Sequence, residues 1–185
     1  MKIISKMSIA GISIAAAMLL MSLPVSAAYK LVSYSVPDGD TSFKTYMSYK
    51  AITNTESAQY QLQQKAKTDE NGLRIIDDDY YCVAIGSYYS DSIGDKFLVE
   101  FEDGTRIKII IGDFKADIHT DKTNRYTNIY DSNDNFISHN VIEFIVDMST
   151  LDKTAKSWGD ISAIEGFDGN IVAIYKIEES AYEKE

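Results

Sequence analysis

The sequence predicts a mainly β protein, a small six-stranded barrel with one or two short helices. Three observations point there. Short runs rich in branched and aromatic residues recur from residue 73 onward, separated by turns carrying Gly, Asp and Asn. One run, with Ile107, Ile109, Ile110 and Ile111, ends apolar on both faces, as in a strand buried inside a closed sheet. No internal repeat and no low-complexity linker marks a second folding unit.

In chain order, the first segment reads as an export signal over residues 1–27. Lys2 and Lys6 form a basic start, residues 9–20 are apolar and uncharged, and Val25, Ala27 and Ala28 are the small residues a signal peptidase needs. Cleavage is expected before Ala28 or Tyr29. An uncleaved anchor is the alternative, because the apolar run approaches the length of a membrane span. Residues 28–72 read as a lead-in. It holds a Pro37-Asp38-Gly39 turn, a stretch with Phe43, Tyr46, Tyr49 and Ile52 at a helical spacing of three, and a helix over 56–67 capped by Thr55. Residues 73–185 form the barrel domain. Strands are expected at 80–86, 96–101, 105–111, 141–146 and 170–177. Glu102-Asp103-Gly104 between the second and third is the strongest hairpin signal. Residues 122–140 are polar and read as a long surface excursion.

Composition excludes some functions. The net charge is −10, and loss of Lys2 and Lys6 with the signal makes it two units more negative. Nucleic acid is therefore not an expected partner, since it needs a basic footprint. No Gly-rich phosphate cradle precedes a helix, no Gly-x-Ser-x-Gly occurs, and no cofactor is expected. Cys82 is the only cysteine, so no intrachain disulfide forms and burial alone must hold the exported domain. Cys82 lies in an apolar strand and reads as a buried, unreactive thiol.

The chemistry-bearing residues cluster around strand ends. Gly-Asp recurs in Ile93-Gly94-Asp95 and Ile111-Gly112-Asp113, and the second closes an apolar run. The second opens a loop with Lys115, Asp117, His119 and Asp121. Acids at the mouth of a buried strand have their protonation tuned by burial and by each other. Asp113 is a candidate general acid or base; its other reading is a turn residue bonded to its own backbone. Glu143 stands between Ile142 and Phe144, and strand alternation points it away from both, toward solvent or a cleft. Asp117, His119 and Asp121 share one side if the segment is extended and offer an alternative cation site, although nothing completes a metal set. Thirteen tyrosines supply flat faces for sugar stacking, and Tyr88 and Tyr89, in a Ser-rich turn, are the candidates among them.

This succession of motifs resembles the double-psi β-barrel proteins of bacterial cell walls, the group named for three aspartates and the related membrane-bound lytic transglycosylases. Ala84-Ile85-Gly86-Ser87, Ile93-Gly94-Asp95, Ile111-Gly112-Asp113 and Val141-Ile142-Glu143-Phe144 are similar to the four successive family elements. The resemblance covers roughly residues 80–177. It implies an exported protein acting on peptidoglycan glycan strands by acid/base cleavage. Asp113 and Glu143 would be catalytic, with Tyr88, Tyr89, Asp117 and His119 toward the substrate. Gly86 stands where the family carries its first aspartate, Phe114 and Lys115 replace a glycine pair, and Glu143 replaces the last aspartate. The loss at Gly86 keeps a second reading open, a non-catalytic barrel that binds glycan or a protein.

Overall fold

The expected β architecture is present, but as a nine-stranded sheet that does not close into a barrel. The computed structural model describes residues 29–77 and 79–179; the export signal over 1–27 lies outside them. The strands are β1 (Tyr29–Tyr34), β2 (Tyr46–Ser48), β3 (Lys67–Thr68), β4 (Arg74–Ile76), β5 (Tyr80–Ile85), β6 (Lys96–Phe101), β7 (Arg106–Phe114), β8 (Thr127–Tyr130), β9 (Phe136–Asn140), β10 (Glu143–Val146) and β11 (Ile171–Glu179). Two helices interrupt them, α1 (Ala58–Lys65) and α2 (Lys153–Trp158). The main sheet runs β1-β11-β6-β7-β5-β10-β2, with β3 and β4 attached beside β5, while β8 and β9 pair separately.

The β6–β7 hairpin forms where Glu102-Asp103-Gly104 places it. Gly104 takes a φ of 87°, which suits glycine, and the Asp103 carboxylate accepts from the Thr105 backbone N–H at 2.8 Å. From there β7 runs parallel to β5, and β10 pairs with the other edge of β5 in antiparallel sense. The centre of the sheet is thus three strands from distant parts of the chain.

Those strands are apolar on both faces because the sheet is covered on both, not because it closes. Val83, Ile85, Ile109, Ile111 and Phe144 belong to the main core with Phe97, Val99, Phe101 and Ile174. Cys82, Ile110 and Ile145 point the other way, into a smaller cluster with Leu62 and Ala66. Helix α1 begins at Ser57, whose hydroxyl accepts from the Tyr60 N–H at 3.1 Å. At its other end the Arg74 guanidinium donates to the carbonyls of Gln63 and Ala66 at 2.7 Å each, which satisfies acceptors a helix end leaves open.

Three local expectations change. The lead-in also supplies two strands that were not expected: β1 pairs antiparallel with β11, and β2 pairs parallel with β10. The spacing of three through Phe43, Tyr46, Tyr49 and Ile52 is not helical; it spans β2 and a single 3-10 turn at Tyr49–Ala51. Residues 122–140, expected as a long polar surface excursion, carry the β8–β9 hairpin.

Candidate functional site

The site is built on β5 and the two strands that flank it. Up to Val83 the β5–β7 register is regular, Cys82 opposite Ile110 and Val83 opposite Ile111. It then shifts by one residue, so that Ala84 faces Asp113 and Gly112 is the extra residue. Without that bulge, alternation would send Asp113 into the main core. With it, Asp113 emerges on the α1 side, a common use of bulges near functional sites. Gly112 fits closely there: a Cβ would lie 2.7 Å from Ile145 Cδ1 and 3.1 Å from Gln63 Nε2, so those side-chain ends would have to shift.

Ala84 also pairs with Glu143 across the β5–β10 edge. Asp113 and Glu143 therefore stand in register on either side of one small, buried residue, about 10 Å apart at their Cα atoms by strand spacing. Both line a cleft of about 440 Å³, together with Lys115, His119, Thr127, Ile129 and Asn140. Its outer wall is the inner face of the β8–β9 hairpin. Asn140 is fixed by two bonds with Thr45, its Oδ1 accepting from the Thr45 N–H at 3.2 Å and its Nδ2 donating to Thr45 Oγ1 at 2.6 Å.

The cleft's electrostatics follow from burial. Partial burial pushes the Asp113 carboxyl above the usual range, against hydrogen bonds from the Phe114 backbone N–H at 2.9 Å and from the Gln59 side chain. Lys115, just beyond the end of β7, is buried. Its Nζ donates to the Asn140 carbonyl at 2.9 Å. Loss of water pushes its amine down to about 8, although the neighbouring Glu143 charge pulls the other way. A carboxyl biased toward its protonated form, a second carboxyl and an amine thus share one partly dry site.

Among the residues singled out from sequence, the structure brings Asp113, Glu143 and His119 together. Asp117 lies apart, accepting from Ser87 Oγ at 2.8 Å. Asp117–His119 is a 3-10 turn rather than an extended segment, and the Asp121 carboxylate is occupied by the backbone of its own loop, including the Arg125 N–H at 2.7 Å. The alternative cation site is therefore not assembled: no cluster of three metal-ligating side chains occurs among the described residues. Tyr88 is 41% exposed but packs edge-on against Tyr34 and Tyr89, away from the residues that line the cleft. Tyr89 is 1% exposed and part of the main core, so its ring offers no face to a sugar.

Lys115 is the cleft residue that sequence reasoning left without a role. The available signal was alternation, since a residue two places after Asp113 at a strand end returns to the same face. The structure also accounts for Gly86. A Cβ there would lie 2.0 Å from the Asn124 carbonyl oxygen, so the loop led by Asp121 occupies the place of a side chain. No helix among the described residues is long and apolar enough to cross a membrane. No family model, curated protein or solved structure matches this chain.

Proposed function

We propose that the chain is an exported cell-wall protein that cleaves peptidoglycan glycan strands in this cleft by acid/base chemistry of the lytic kind. The observation that carries the reading is the placement of Asp113 and Glu143 in register about Ala84, opening on one cleft. Asp113, whose carboxyl burial biases toward its protonated form, is the acid. It gives its proton to the glycosidic oxygen as the bond to the anomeric carbon breaks, while Glu143 faces the positive charge that develops there. The Asp113 carboxylate then takes the proton of a hydroxyl of the same sugar, whose oxygen closes on the anomeric carbon as an internal anhydro ring. No water nucleophile is needed, so the second carboxyl has an electrostatic task rather than that of a base. The motif resemblance to lytic transglycosylases and the export signal support the choice of wall glycan.

Incubation of the purified protein with peptidoglycan, followed by mass analysis of the soluble fragments, tests the reading. Anhydro-sugar ends are expected, reducing ends would replace lytic cleavage by hydrolysis, and no fragments would reject the enzyme. The second reading, a wall-binding module without catalysis, is favoured by Gly86, where the neighbouring loop leaves no room for the family's further acid. Co-sedimentation with walls in the absence of fragments would establish it.

A further inference from the structure

Glycan cleavage by two carboxyls gives Lys115 no task, and its setting is unusual for a lysine. The side chain is 8% exposed yet lines an open cleft, so it is withdrawn from bulk water but not from a ligand. Its described hydrogen bond is to the Asn140 carbonyl, an acceptor fixed by Asn140's two bonds with Thr45. An ammonium carries three donors, and a neutral amine that gives one N–H to Asn140 keeps its lone pair for the cleft. Asp113 and Glu143 line the same cleft, and the Glu143 charge acts on the Lys115 amine.

We propose that Lys115 is a carbonyl-reactive amine and that the cleft is a site of Schiff-base formation with small aldehydes or ketones. The Nζ lone pair attacks the carbonyl carbon, forming a C–N bond while the π pair moves to oxygen, which takes a proton from Asp113. The nitrogen of this carbinolamine returns a proton to the Asp113 carboxylate. Asp113 passes it to the hydroxyl, which leaves as water as the nitrogen lone pair forms the C=N bond, and the remaining iminium N–H proton goes back to Asp113. Amine and carbonyl become imine and water, with no oxidant or reductant needed. Burial supplies the driving condition, since an amine pushed down to about 8 is neutral in roughly a quarter of molecules near pH 7.5, where a lysine in water is almost wholly charged. The inference stands apart from glycan cleavage, because it concerns a different bond and leaves a different product.

The protein carries its own control. Lys44 is fully buried and also pushed down to about 8, but its amine donates to the carbonyls of Ser42 and Gly169 at 2.7 and 2.8 Å and does not line the cleft. The test is brief treatment of the purified protein with acetaldehyde and sodium cyanoborohydride at pH 7.5, followed by peptide mapping of N-alkylated lysines. Lys115 should be labelled about tenfold or more faster than exposed Lys122 and Lys153, and Lys44 should remain unlabelled. Asp113→Asn should slow labelling at Lys115 without changing that at Lys122. Labelling of Lys115 no faster than the exposed lysines, or labelling of Lys44 as fast as Lys115, would overturn the proposal. These wild-type comparisons decide it even if the Asp113 variant does not fold. Glycan fragments play no part in the readout, so either idea can fail without the other.

Discussion

Asp113 and Glu143, 30 positions apart in sequence, pair with the same residue, Ala84, from opposite edges of β5. Ala84 itself is small and buried, and both acids line one cleft. Asp113→Asn keeps an acceptor for the Phe114 N–H, so the fold should hold while the proton donor is lost. Glycan release should fall by roughly 10²–10⁴-fold with an almost unchanged melting temperature. Glu143→Gln should lower it similarly. Unfolding of either variant would make that residue structural, and full activity of both would place the chemistry elsewhere.

The raised Asp113 carboxyl also fixes the sign of a pH effect. The acid acts in its protonated form, which burial retains to higher pH than a carboxyl in water. The initial rate of fragment release should be highest on the acid side of neutrality and fall as pH rises through the Asp113 titration. Any residual activity of Asp113→Asn should lack that falling limb. A wild-type rate that climbs steadily into the alkaline range would contradict the assignment of Asp113 as acid.

Cys82 lies on β5 between Gln63 and the sheet, fully buried, with its thiol pushed up to about 11 by loss of solvent. The thiolate is the reactive species, so the native protein should resist alkylation. Iodoacetamide at pH 8 should modify Cys82 far more slowly than a free cysteine peptide, and at the peptide rate once denaturant is added. Equal rates in the native protein would contradict its position in the fold.

Gly86 gives the resemblance a direct test. The Asn124 carbonyl sits where a Cβ would go, and the Tyr88 N–H donates to the same oxygen at 3.3 Å. Writing the family aspartate back with Gly86→Asp should therefore not restore a site. It should displace the Asp121 loop and destabilise the protein by on the order of 3 kcal/mol, because the clash is with backbone rather than with a flexible side chain. Chemical denaturation of the variant measures this. A variant as stable as the parent and more active would show that the loop yields easily and that the acid had been lost from a working site.

How much of this was legible in the sequence depended on how local the cause was. The β6–β7 hairpin could be read because Asp103 and Gly104 make the turn by themselves. The strandedness of β5, β7 and β10 followed from their apolar runs. Strand β2 was missed because three residues, Tyr46, Met47 and Ser48, are ordered by parallel pairing with β10 about a hundred positions away. Strand β1 was missed for the same reason, its partner being β11 at the far end of the chain. The double-sided apolarity of β7 was read as closure, whereas α1 covers the second face. At the site, alternation gave the direction of Glu143 and the Gly-Asp motif singled out Asp113. Only the register shift at Gly112, which no local pattern encodes, put the two on one face. Tyr89 was misjudged because a Ser-rich neighbourhood does not reveal that a ring turns inward.

The buried lysines make a last prediction, for stability rather than activity. Lys44 has lost its water, and bonds to the Ser42 and Gly169 carbonyls and the Phe101 face at 4.8 Å only partly replace it. Burial lowers its amine to about 8 against the pull of Asp160, Asp168, Asp40 and Glu102, and Lys115 is lowered to the same level against Glu143. Both folded values lie below the unfolded one of about 10.4. Below pH 8 both states hold the proton, and the folded state bears the full cost of the buried charges. Between pH 8 and the unfolded value the unfolded chain binds more protons, so stability rises with pH. Cys82 acts in the opposite sense, because its raised thiol makes the folded state the stronger proton binder between pH 9 and about 11. The clear window is therefore pH 7.5 to 9, in which each lysine should contribute on the order of 1 kcal/mol of added stability. Urea denaturation at fixed ionic strength across that window should show the midpoint moving upward. Lys115→Met should remove about half of the rise. A midpoint that stays flat or falls from pH 7.5 to 9 would mean that both amines keep their protons in the folded state, and that their carbonyl and carboxylate neighbours offset the burial in full.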